Sequence, residues 1–126
     1  MSAGTGIPSL VALGAINGGI AVAAGAFGAH GLRERLSQHS LEIYETAVRY
    51  HMFHALAMIL CAVVASSGAR TAGWLFQAGI VVFSGSLYAL ALSEVKWLGA
   101  ITPIGGLAFL AGWAALAWSA IRDALH

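Results

Sequence analysis

Gly25-Ala26-Phe27-Gly28-Ala29-His30-Gly31-Leu32 closes a run of twenty-nine residues in which no side chain is charged, and it opens the one sizeable polar segment of the chain. The stretch from Ile7 to Ala29 is long enough to cross a hydrocarbon core of about 30 Å as an α-helix. Ala21-Val22-Ala23 has the small-residue character of a signal-peptide cleavage site. However, no Lys or Arg precedes the run, and the run exceeds the usual apolar region of about 7–15 residues. This reading predicts a retained transmembrane helix over residues 7–29.

The remainder repeats that character. The 126 residues suffice for one domain, and they are 60% hydrophobic and 9% charged, against about 25% charged in soluble domains. With a mean hydropathy of +0.84, a soluble fold of this size could not hide its apolar surface, so lipid is the implied solvent. Three further runs, charge-free but for Arg49 at the mouth of the first, predict spans at about 48–67, 71–93 and 97–121. The expected fold is an all-α membrane protein, a single domain over 1–126. Its four transmembrane helices form an antiparallel bundle, with a short polar or amphipathic segment between helices one and two. In that segment, residues 30–40, Leu32 and Leu36 stand at helical spacing among charges, and Ser40 is the expected cap of a helix beginning at Leu41. Tyr50, Trp74, Trp97 and Trp118 fall near span ends, as an aromatic belt requires. Pro103 marks either a late helix start or a kink. Both termini fall on one side.

A net charge of +1 gives no attraction to nucleic acid. Cys61 is the single cysteine, which excludes an intrachain disulfide and leaves the redox compartment unread. Four antiparallel spans gather most of the polar side chains at one end, where His30, Glu45, Arg49, His54 and Tyr88 form the candidate cluster. The i,i+4 spacing of Glu45 and Arg49 suits an ion pair. His51 and His54, at i,i+3, could share a metal ion, but no dense ligand spacing completes a site, so no metal and no cofactor is expected. No phosphate loop, dinucleotide fingerprint or zinc-protease motif occurs, and Phe83-Ser84-Gly85-Ser86-Leu87-Tyr88 lacks the strand–turn–helix context of a nucleophile elbow. No catalytic residue is assigned, and the balance leans away from an enzyme.

Small residues carry a different signal. Gly14, Gly18, Ala21, Gly25 and Gly28 recur at spacings of three and four, making a stripe along which another helix can approach closely. Ser84, Gly85, Ser86, Gly105 and Gly106 are further helix-packing candidates. Asn17, an amide inside the first run, needs a partner on another helix.

Gly25–Leu32 resembles the signature of the YgdD family, small bacterial inner-membrane proteins with eukaryotic relatives named transmembrane protein 256, collected as domain of unknown function 423. Tyr50-His51-Met52-Phe53-His54-Ala55-Leu56, Phe83–Tyr88, Thr102-Pro103-Ile104-Gly105-Gly106 and Gly112-Trp113 agree in the same order. His51 departs from the pattern, where relatives often have glutamine, whereas His30 and His54 match it. The resemblance implies an integral protein of the bacterial cytoplasmic membrane with cytoplasmic termini, and it carries no activity with it. The charges themselves lean the other way, since Arg33, Arg35 and Lys96 outnumber Arg70 and Arg122.

Three functional expectations follow in order. The first is a non-enzymatic packing, assembly or interaction protein, whose partners would be membrane lipids and a second copy or a larger membrane complex. The alternative is a binder of an amphipathic small molecule, a lipid or quinone, held at the polar end of the bundle. The third is a small transporter or channel along Asn17 and the glycine face. The glycines also predict a geometry, namely His30 lying near Glu45, Arg49 or His54.

Overall fold

The computed structural model describes residues 7–126, with side chains from Ser9 onward, and these residues form helices without a strand among them. Four helices are long and apolar enough to cross a membrane: Ser9–Leu32, Gln38–Val64, Ser67–Ser93 and Lys96–Ala124. In finer detail, α1 (Ile7–Phe27) runs on into a π-helical turn, Gly28–Leu32. After α2 (Gln38–Val64), the third span is α3 (Ser67–Gly79), a second π-helical turn (Ile80–Ser84) and α4 (Gly85–Ser93). A 3₁₀ turn, Lys96–Ala100, leads into α5 (Thr102–Ala124), whose first turn holds Pro103. Proline there costs no hydrogen bond, so Pro103 marks a helix start and not a kink.

The polar segment is shorter than expected. Helix persists to Leu32, and the cap of α2 is Ser37 instead of Ser40. Ser37 is extended (φ −61°, ψ 160°), and its hydroxyl accepts the Ser40 N–H at 3.1 Å. Ser40 is buried one turn inside the helix. The charges after Ser37 mark a helix that begins outside the hydrocarbon, since Glu42, Glu45 and Arg49 occupy early turns of α2 without interrupting it.

Only Ala65 and Ser66 separate α2 from α3. Ala65 takes a left-handed conformation (φ 62°) and donates its N–H to Cys61 O, while Ser66 caps α3 by accepting the Ala69 N–H at 3.0 Å. Glu94 ends α4 in the same way (φ 58°), donating to Leu90 O.

Glycines set how closely the helices approach. A Cβ on Gly28 would lie 2.6 Å from the Tyr44 ring, one on Gly25 3.3 Å from Val48, and one on Gly14 2.7 Å from Ile59. Positions therefore rise along α2 as they fall along α1. Between the third span and α5, Gly68 meets Ser119, Gly112 meets Phe76, Gly79 meets Phe109 and Gly105 meets the backbone of Phe83. Two apolar clusters fill the interior. One joins Leu10, Met58, Cys61, Phe76, Ile80 and Phe109, and the other joins Leu32, Leu41, Tyr44 and Ala91 below the polar end.

The stripe on α1 is thus largely occupied within the bundle, with one exception: Gly18 has nothing within 4 Å of a Cβ position. Gly105→Ala should destabilise the protein by about 1–3 kcal/mol, as overpacking does, and Gly18→Ala should cost nothing. Thermal unfolding followed by circular dichroism in micelles checks both, and equal melting temperatures for the two variants would contradict this packing.

Candidate functional site

Two polar networks tie the helices together, one centred on His51 and the other on His54 of α2. Asn17 donates from Nδ2 to Leu13 O at 2.9 Å and to Gln77 Oε1 at 2.7 Å. Its Oδ1 is therefore the acceptor for His51 Nε2 at 2.9 Å, which puts the ring proton on Nε2. A neutral imidazole in that tautomer leaves Nδ1 bare, so Nδ1 accepts the Tyr88 hydroxyl at 3.0 Å. The donors all point one way, from Tyr88 through His51 and Asn17 to Gln77. One chain of hydrogen bonds thereby joins all of the first three spans. Tyr44 extends it by ring contact with Tyr88, at 5.3 Å edge-on, and donates to Ala24 O.

His54 anchors the second network and ties α2 to α5. A carbonyl can only accept and an indole N–H can only donate, so the tautomer is fixed. Nδ1 donates to Tyr50 O at 2.8 Å, and Nε2 accepts from Trp113 Nε1 at 3.0 Å. The ring lies flat on Phe109, with centroids 3.6 Å apart and planes 9° from parallel. Both nitrogens of His51 and of His54 are committed to these bonds, so neither imidazole has a lone pair left for a metal. Among the described residues, no three His, Cys, Asp or Glu side chains form a group that could hold one.

Serines join the helices elsewhere. Ser84 donates to Ala47 O at 3.0 Å, Ser86 pairs with Thr102 at 2.6 Å and Ser66 with Ser119 at 2.7 Å. Gly85 and Gly106 leave room, with no atom closer than 4.0 Å and 3.8 Å to a Cβ there.

The candidate cluster of the sequence does not assemble as one group. His54 and Tyr88 belong to the two separate networks. The π-helical turn directs Gly28 and Leu32 inward and leaves His30 exposed, and no hydrogen bond or ring contact joins His30 to Glu45, Arg49 or His54. Glu45 and Arg49 form no ion pair with each other among the described residues. Exposed pairs of this kind yield only about 0–1 kcal/mol, too little to hold two long side chains together. Both instead line a groove of about 380 Å³ between α1 and α2, walled by Gly25, Gly28, Ala29, Tyr44 and Val48. A second hollow of about 250 Å³ shares Gly28, Ala29 and Glu45 with it and adds Arg33, Gln38 and Leu41. The combined cleft is apolar at Val48 and Gly25 and charged at Arg33, Glu45 and Arg49.

Gln77 and Trp113 were absent from the sequence-derived cluster. Gln77 could have been found by the criterion that singled out Asn17, an amide inside an apolar run, whereas no local signal links Trp113 to His54 across 59 residues.

His51→Leu leaves Asn17 and Tyr88 without their partner and should lower stability by about 1–3 kcal/mol. Tyr88→Phe, which strips one donor from a ring nitrogen, should lower it by less. Chemical unfolding in mixed micelles orders the two, and a neutral His51→Leu would contradict the network.

The family model described as Protein of unknown function (DUF423) matches residues 24–106. UPF0382 membrane protein SAB0533 of Staphylococcus aureus is 50% identical over 106 residues, covering 82% of this chain and 87% of that protein. UPF0382 membrane protein YwdK of Bacillus subtilis is 46% identical over 117 residues, covering 89% and 95%. A UPF0382 membrane protein of Staphylococcus epidermidis is 47% identical over 117 residues, covering 90% and 96%. No solved structure matches. With the match reaching from Ala24 to Gly106, and so across the π-helical turn, α2 and the third span, the chain belongs to the DUF423 family of membrane proteins.

Proposed function

We propose that this protein is a non-enzymatic integral membrane protein that holds an amphipathic lipid in the cleft between α1 and α2. The observation that carries this reading is the cleft itself. It joins a low-walled apolar trough at Gly25, Gly28 and Val48 to Arg33, Glu45 and Arg49, charges that are not neutralised by pairing with one another. An acyl chain fits the first part. A phosphate fits the arginines, since guanidinium groups bind phosphate through charge-assisted hydrogen bonds. The reading as a packing protein loses part of its motive, because Gly14, Gly25, Gly28 and Gly105 meet neighbours within the chain. A conducting path along Asn17 gains no support, since Gln77 and His51 occupy the amide.

Purification in mild detergent followed by native mass spectrometry and a lipid extract tests the cleft. The expected result is one retained phospholipid per chain, with retention falling about tenfold in Arg49→Gln and in Ala29→Trp, which fills the cleft from an exposed position. Such a loss corresponds to roughly 1.4 kcal/mol. A wild-type protein free of lipid, or retention indifferent to both variants, sinks the proposal.

The membrane we assign is the bacterial cytoplasmic one with both termini inside, supported by the family resemblance. A C-terminal fluorescent-protein fusion should glow and a C-terminal alkaline phosphatase fusion should be inactive; the reverse pair of results would turn the molecule over.

A further inference from the structure

Gln77 lies ten residues into the third span, Ser67–Ser93, about 15 Å from its start at 1.5 Å per residue. That depth is well inside a hydrocarbon layer of about 30 Å. Its carbonyl oxygen accepts from Asn17, while its amide nitrogen has no partner among the described residues. No fully buried side-chain nitrogen or oxygen of the described residues lacks a hydrogen bond. The unpartnered Nε2 of the half-buried Gln77 is therefore not fully enclosed by the described residues. At that depth acyl chains offer its two N–H groups no acceptor, and an unmet polar group in such a medium is strongly disfavoured.

The surrounding surface permits close approach. Trp74, Ala78 and Val81 flank Gln77 on the exposed side of α3 and the π-helical turn, and a Cβ on Gly85 would meet nothing nearer than Ile80 O at 4.0 Å. We propose that this face of the third span is the contact surface of a homodimer. In it the Gln77 carboxamides pair across a twofold axis, each Nε2–H donating to Oε1 of the partner's Gln77. The occupant is a second copy because a carboxamide is complementary to itself. It has a donor to give, and Oε1 has a lone pair beyond the one Asn17 uses. A twofold axis gives each molecule an acceptor for one of its two N–H groups with one residue. The small Ala78 and Gly85 bring the backbones near enough, and interhelical hydrogen bonds of this kind hold helices together in lipid. This contact lies apart from the cleft between α1 and α2 and does not depend on its contents.

Oxidative cross-linking in native membranes tests the contact. Ala78→Cys should give disulfide-linked dimers at about ten times the yield of Ile16→Cys on the exposed side of α1, with the buried Cys61 left in place in both. Adding Gln77→Leu to Ala78→Cys should cut the yield about tenfold. Gly85→Leu, which leaves the Asn17–Gln77 bond untouched, should cut it as well, and this variant decides the matter if Gln77→Leu fails to fold. Equal yields from Ala78→Cys and Ile16→Cys overturn the proposal. So does a yield unchanged by Gly85→Leu, or Ala78→Cys joined to a different protein.

Discussion

In hydrocarbon a polar side chain has no water to fall back on, and the Asn17 amide shows what that constraint does to a small bundle. Two acceptors and one donor converge on it from Leu13, Gln77 and His51. Each partner sits on a different part of the first three spans, so the amide fixes their rotation as well as their distance. Apolar contacts alone would not, because lipid tails solvate a leucine as well as another helix does. The direction of the donors also removes ambiguity. Once Asn17 has committed its nitrogen, the tautomer of His51 and the orientation of the Tyr88 hydroxyl both follow.

The glycines make these bonds reachable. Gly28 against Tyr44 and Gly14 against Ile59 bring α1 close to α2 at two levels, and Asn17 falls between them. On the other side of the bundle, Gly79 and Gly112 admit Phe109 and Phe76. Those rings form the bed on which His54 lies while it receives the Trp113 N–H. Close backbone approach and polar pairing are two halves of one device: one supplies the distance, the other the specificity.

Much of this was legible in the chain, and the remainder was hidden for physical reasons. Charge-free runs marked four spans because ions are costly in lipid, and the need of Asn17 for a partner was readable from its position alone. The cap at Ser37 was missed because Ser40, three positions on, is an equally suitable capping residue, and nothing in Ser37-Gln38-His39-Ser40 says from which serine the helix starts. The expected approach of His30 to Glu45, Arg49 or His54 brings no hydrogen bond or ring contact: His30 is exposed in the π-helical turn Gly28–Leu32, and no residue type announces such a turn. The Trp113–His54 bond depends on how two distant helices face each other. Gln77 was the readable omission: a search for charges passes over an amide that lipid treats almost as severely.

The short connections have a thermodynamic consequence. Ala65 and Glu94 hold left-handed backbone angles that cost a residue with a Cβ about 1–2 kcal/mol and cost glycine almost nothing. Evolution has left that energy unclaimed at two positions remote from both polar networks. A doubly glycine-substituted chain would therefore be a stabilised background, able to offset losses in the buried hydrogen bonds and keep weakened variants folded long enough to be measured.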